Sequence, residues 1–162
     1  MKKIILSFAI LAFTVGAKAQ KHNVGATTAN VAVNIGAATE SGYKLVYGAD
    51  LQVEHSLSPT LNITGSAGFE NFHWSEAGFS GNDGFIPVLV GAKAFFGESK
   101  AYAHAQLGAG FSTHSNGGTF FAYAPSIGYY LSDNLDASVK YLAFSKNSHT
   151  LGTIGVRVAY NF

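Results

Sequence analysis

The chain has 162 residues, of which 48% are hydrophobic and 14% aromatic but only 12% charged, with 19 glycines and no cysteine. A soluble domain of this size usually carries about twice that share of charge. A formal net charge of +1 without any Lys or Arg cluster excludes the concentrated basic face that nucleic acid needs, and the lack of cysteine excludes disulfides and thiolate metal sites.

In chain order, Lys2 and Lys3 come first, then an apolar run over 4–15, then Gly16, Ala17 and Ala19 around Lys18. About twelve apolar residues cannot cross a bilayer as a helix, which needs about twenty, and the small residues fit an A-x-A cleavage site. Residues 1–19 are therefore expected to be a cleaved signal peptide, with Ala17 and Ala19 at the site and Gln20 opening one mature domain, 20–162. No Cys follows the site, which excludes a lipoprotein anchor. Loss of Lys2, Lys3 and Lys18 leaves seven Lys plus Arg against nine Asp plus Glu, a charge of −2.

Downstream the hydrophobic pattern has a period of two, the mark of strands with one apolar and one polar face. Eight strands are predicted, at 28–36, 43–57, 61–72, 85–96, 100–112, 120–131, 134–145 and 150–162. The alternation is clearest in three of them. Over 43–57, Tyr43, Leu45, Tyr47, Leu51 and Val53 oppose Lys44, Asp50, Gln52 and Glu54. Over 134–145, Leu135, Ala137, Val139 and Tyr141 oppose Asp136, Ser138 and Lys140. Over 150–162, Gly152, Ile154, Val156, Val158, Tyr160 and Phe162 oppose Thr153, Gly155, Arg157, Ala159 and Asn161.

Tight turns are expected at Ser58, Pro59, Thr60, at Gly97, Glu98, Ser99 and at Ser132, Asp133, Asn134. Longer connections at 37–42, 74–84, 114–119 and 145–149 alternate with them, as in a membrane barrel with both termini at the periplasmic side. Pro87 and Pro125 fall inside strands and are expected to mark bulges or shifted boundaries. The fold class that follows is all-β: an eight-stranded antiparallel up-and-down transmembrane β-barrel, which satisfies every backbone group within lipid.

This pattern, with the final Val156, Val158, Tyr160 and Phe162, resembles the small outer-membrane β-barrel superfamily, OmpA/OmpX-type barrels and OMP_b-brl-like domains. The resemblance covers the whole mature chain. It implies a place in the Gram-negative outer membrane, with lipid and the barrel-assembly machinery as partners, and it makes those four residues an assembly signal rather than interface anchors alone. Other aromatics, among them Tyr43, Phe72, Phe85, Phe120 and Phe144, are read as girdle or packing residues.

If the apolar parity faces lipid, the lumen collects Lys44, Asp50, Glu54, Glu70, Lys93, Asp136, Lys140 and Arg157. A barrel of eight strands is filled by its own side chains, so these charges are expected to pair in a network centred on Asp50, Glu54, Lys93, Lys140 and Arg157. The expected function is that of a non-enzymatic, porin-like envelope protein with a filled lumen and no cofactor. Its role lies in envelope integrity or in an unidentified surface ligand met by the outer loops. A small pore is the alternative that the same lumen suggests.

Two enzymatic or ligand-binding alternatives have residues to name. The stretch Thr113, His114, Ser115, Asn116 resembles the His-x-Ser-Asn signature of outer-membrane lipid A deacylases, but His114 and Ser115 are adjacent, so on a strand they point to opposite faces and the hydroxyl misses the imidazole. His73, His114 and His149 near one rim lack the paired spacing of a metal site. A soluble lipocalin-like barrel would turn the apolar faces inward around a ligand, a choice alternation cannot make.

Overall fold

A computed structural model describes residues 24–162, except 77, 78, 98, 115 and 116 and the side chain of Glu76. The signal peptide expected at 1–19, with Ala17, Ala19 and Gln20, lies outside the described residues. Eight strands follow: β1 (Thr27–Ala38), β2 (Tyr43–Ser58), β3 (Leu61–Glu76), β4 (Phe79–Phe95), β5 (Ala101–Ser112), β6 (Thr119–Tyr130), β7 (Leu135–Lys146) and β8 (His149–Asn161). Each pairs antiparallel with the next, and β8 closes on β1 from Asn30↔Asn161 to Ala38↔Thr153.

The register fixes the barrel's shape. Ladder partners run from Thr28 through Glu54, Thr64, Gly91, Gln106 and Ala124. Continuing the β6–β7 register to Leu142 and then Thr153 returns to β1 at Ala38, ten residues farther along. Such a stagger over eight strands tilts them by about 40°. A tilted strand of twelve residues then rises about 30 Å, enough to span the apolar band of about 25 Å that outer-membrane barrels present.

Exposure decides which face points out. Val33, Leu51, Ile63, Val90, Leu107, Ile127, Val139 and Ile154, one from each strand in order, are 46–64% exposed. Their neighbours in sequence turn inward, and Asn30, Gln52, Thr64, Lys93, Gln106, Ser138 and Arg157 are buried. An apolar belt around a polar lumen is the arrangement for lipid, and it overturns the lipocalin-like alternative, which needs the reverse.

Several local expectations are corrected. The segment 74–84 is not a loop: β3 and β4 continue through it, pairing from Glu70↔Phe85 to Glu76↔Phe79. Gly81 makes this possible, because Trp74 lies across it and a Cβ there would collide with the indole. The strict alternation of long and short connections also fails. Asn147 and Ser148, both at positive φ (51° and 65°), form a two-residue β7–β8 turn of the primed type that suits strand twist, while the expected tight β4–β5 turn spans 96–100.

The prolines produce no bulge. Pro87 pairs with Gly110 and Pro125 with Ala105. On their other sides the β3–β4 and β6–β7 ladders each skip two pairs and resume in the same register. Each missing N–H thus costs a short gap in one ladder rather than a shift. A true irregularity lies between Tyr43 and Leu45, and there Tyr43 turns inward while Lys44 is exposed, the opposite of the sequence assignment.

Candidate functional site in the barrel lumen

The interior is built in three tiers between the far rim, which carries the β1–β2, β3–β4, β5–β6 and β7–β8 connections, and the terminal rim, which carries Phe162. Nearest the far rim is an aromatic plug. Phe85 and Phe144 stack at 4.5 Å and 15°, Phe72 packs edge-on against both at 5.6 and 6.0 Å, and Tyr43 and Phe120 add edge contacts at 5.9 and 5.3 Å. Phe72 and Phe144 are 0% exposed. Gly110 makes the room, since a Cβ there would run into the Phe144 ring. The Tyr43 hydroxyl donates to Asp83 across the mouth.

The middle tier is centred on Asp50. Arg157 donates to it through Nε and Nη2, the latter at 2.7 Å, and Asn34 Nδ2 donates to Asp50 Oδ2 at 2.9 Å. Lys140 Nζ stands 3.8 Å from Asp50 and 4.0 Å from Glu70, and Arg157 Nη1 stands 3.9 Å from Asp136. A guanidinium offers a fixed fork of donors, so Asp50 and Arg157 tie β2 to β8 across the closing seam.

Nearer the terminal rim, Lys93 from β4 forms a direct ion pair with Glu54 from β2. The same carboxylate accepts from Gln52 at 2.8 Å and from Asn30 and Asn62 at 3.2 Å. Lys93 Nζ also lies 4.4 Å from the Tyr102 ring centre and 5.3 Å from that of Tyr130. Tyr102 donates to Asp136 at 2.7 Å, which also accepts from Asn161. Gly128 stands opposite the Tyr102 ring and leaves space for it.

The five charges singled out from the sequence thus form two groups, Lys93 with Glu54 and Arg157 with Asp50 and Lys140. The joint is Asn30, which donates to Glu54 and accepts from Arg157 Nη2 at 2.7 Å. Sequence reasoning passed over Asn30, Asn34 and Tyr102, each on the inward parity of its strand but with no Asp, Glu, Lys or Arg on that strand's inward face to mark it. It also missed the plug.

Val156, Val158 and Tyr160 point outward, and Phe162 packs on Tyr160 at 5.4 Å while its N–H donates to Ala29 O at 2.9 Å. The histidines of the far rim do not converge. His73 bonds to Asn82, His114 Nδ1 is 3.6 Å from Asp83 Oδ1, and His149 is exposed at the start of β8. No group of three metal-ligating side chains forms among the described residues. Ser115 and Asn116 lie outside them.

No family model matches this sequence, and neither does any curated protein. Solved structures do. The chain is similar to Ail, the attachment invasion locus protein of Yersinia pestis, in complex with the heparin analogue sucrose octasulfate, at 19% identity over 86% of this chain and 100% of that one, with a TM-score of 0.63. It is similar to the outer membrane enzyme PagL (16% identity, 81% and 98% covered, TM-score 0.57) and to the Neisserial surface protein A, NspA (13%, 84% and 97%, TM-score 0.52). The class that fold and lumen define is a closed transmembrane-type β-barrel with a packed polar interior. More narrowly, the chain has the fold of the small eight-stranded outer-membrane barrels, the OmpA/OmpX type.

Proposed function

We propose that the protein is a non-conducting, non-catalytic barrel of the Gram-negative outer membrane. It contributes to envelope integrity or presents its far rim to a surface partner. The observation that carries this reading is the apolar belt on all eight strands around a lumen blocked by Phe72, Phe85 and Phe144 above and by ion pairs below. A signal peptide at 1–19 and the outward Val156, Val158 and Tyr160 with Phe162 fit export followed by insertion through the barrel-assembly machinery. The rim carries charges of both signs, with Glu40 and Asp83 beside Lys44 and Lys146, so it does not favour the sulfated polyanion bound to Ail.

Similar structures include an enzyme, and His114 is the residue on which a catalytic reading would rest. Its ring is 59% exposed and faces Asp83, and among the described residues no serine hydroxyl bonds to that ring. Reconstitution in planar bilayers tests the non-conducting claim: a flat baseline is expected, and stable conductance steps would refute it. Expression in a host with defined lipid A tests the other: an unchanged acyl count is expected, and loss of a chain that His114→Ala restores would make the protein a deacylase.

A further inference from the structure

At the far rim the pattern that serves lipid reverses on one hairpin. Beyond Glu70↔Phe85, β3 and β4 stay paired with each other as far as Glu76↔Phe79, whereas the β2–β3 ladder ends at Tyr43↔Trp74 and the β4–β5 ladder at Phe85↔Ser112. The hairpin therefore projects from the barrel, and its side chains alternate between two faces. Its outward parity, apolar lower down, becomes His73, Ser75, Ser80 and Asn82, all polar and at least partly exposed, so this part has left the lipid. The inward parity carries Trp74, Phe79, Gly81 and Asp83 and stands above the plug, with Phe79 75% exposed. Girdle aromatics point outward to reach the membrane interface; Trp74 and Phe79 point the other way.

The register brings these side chains into one small surface. Trp74 is opposite Gly81, which has no Cβ to displace the indole lying across it. Phe79 and Asp83 are then the two diagonal neighbours of Trp74 on the same face, a spacing within reach of an aromatic side chain. The half-buried indole is backed by its own hairpin on one side and open on the other, between Phe79 toward the tip and Asp83 toward the barrel. Tyr43, on the far side of Trp74, is already committed: its ring packs edge-on against Phe72 at 5.9 Å and its hydroxyl donates to Asp83. His114 stands beside the carboxylate, Nδ1 3.6 Å from Asp83 Oδ1, with its own side chain 59% exposed.

The chemistry of this surface selects its occupant. Nucleotides and sulfated sugars are anions, which Asp83 repels, with Glu40 on the same rim. A compact cation is held best by open aromatic faces around it, but the indole is backed on one side, Tyr43 is committed elsewhere, and Lys44 and Lys146 share the rim. What fits is a neutral ring with an apolar C–H face for the indole and hydroxyls at its edge, because a carboxylate accepts hydrogen bonds and donates none. We infer that Trp74, Phe79 and Asp83 bind a neutral pyranose unit of an extracellular glycan. The sugar stacks on the indole against Phe79, its hydroxyls donate to Asp83, and His114 supplies a further hydrogen-bonding group at the carboxylate's side. This names the surface partner and rests on the proposed placement of the far rim outside the cell.

Trp74 is the one tryptophan of the chain, so its emission reads this surface directly. The detergent-solubilised barrel is titrated with maltohexaose, cellohexaose and chitohexaose as neutral probes, and with a heparin hexasaccharide and spermine as charged ones. A saturable change with at least one neutral probe is expected, and none with the charged pair. Phe79→Ala, at an exposed position that leaves the barrel intact, should weaken that binding about tenfold, the loss of one aromatic contact, and Asp83→Ala should weaken it at least as much. Phe79→Ala suffices should Asp83→Ala not fold. Silence with all three neutral probes, a response to heparin or spermine instead, or unchanged affinity in Phe79→Ala would overturn the inference. Heat-dependent gel mobility of the same sample separates the two readings: a shift without sugar binding overturns this inference alone, whereas a parent protein without the shift overturns the membrane-barrel reading and this inference with it.

Discussion

Removing one partner of the Lys93–Glu54 pair should damage the barrel far more than removing both. Lys93 is 0% and Glu54 2% exposed, so neither finds water once the other is gone, and stranding a buried charge costs about 3–5 kcal/mol. Lys93→Met keeps the apolar stem against Tyr102 but leaves Glu54 with only the Gln52, Asn30 and Asn62 amides; the full range applies. Glu54→Gln leaves Lys93 over the Tyr102 and Tyr130 rings, and a desolvated cation–π contact retains about 2 kcal/mol, which places this variant at the low end. The double variant buries two neutral groups and should lose only about 1 kcal/mol. Urea unfolding of the reconstituted barrel, followed by the fluorescence of its one tryptophan, Trp74, reads these differences. With a slope of about 1–3 kcal/mol per molar urea, the single variants should drop the midpoint by a molar unit or more. A double variant that loses the sum of the two single effects would refute the reasoning, because the charges would then act independently.

Three further outcomes follow from other tiers of the molecule. Phe144→Ala removes a ring from the centre of the plug and should cost about 3–5 kcal/mol, measured in the same urea titration; it should also give brief conductance events in bilayers where the parent gives none. Val88→Arg places a charge on the outward face near the middle of β4, where lipid makes it cost about 2–4 kcal/mol; a change below about 0.5 kcal/mol, normal for a water-facing surface site, would mean that this face is not in lipid. Phe162→Ala keeps the N–H bond to Ala29, so refolding in detergent should be unaffected, while the yield of inserted protein in cells, read by outer-membrane fractionation, should fall; equal yields would remove Phe162 from the assembly signal.

Alternation made much of the barrel legible before any coordinates. Along β7 and β8 a strict period of two put Asp136, Ser138 and Arg157 on one face and Val139, Val156 and Val158 on the other, and burial follows that division. Parity alone could not say which face was inside, because a soluble barrel obeys the same rule with the faces exchanged. The plug was hidden for a related reason: Phe72, Phe85 and Phe144 lie on the inward parity, but aromatic residues near strand ends also form lipid girdles, and only the ladder brings these three rings together. Tyr43 and Lys44 were exchanged because one irregularity in β2 flips every side chain on its far side. The protruding β3–β4 hairpin was missed because Ser, Gly, Asn and Asp over 80–84 favour turns locally, whereas the Trp74 indole over Gly81 favours the strand through a contact invisible in a single segment. Asn30 was passed over since a neutral amide between two ion pairs leaves no charge pattern to read.

The most direct test of the account is gel mobility of the membrane fraction, boiled and unboiled. A folded barrel with its apolar belt outward should appear in the outer-membrane fraction and migrate differently until heated. Release into the soluble periplasmic fraction, with identical mobility before and after boiling, would contradict the assignment of the outward face to lipid, and with it the proposed function.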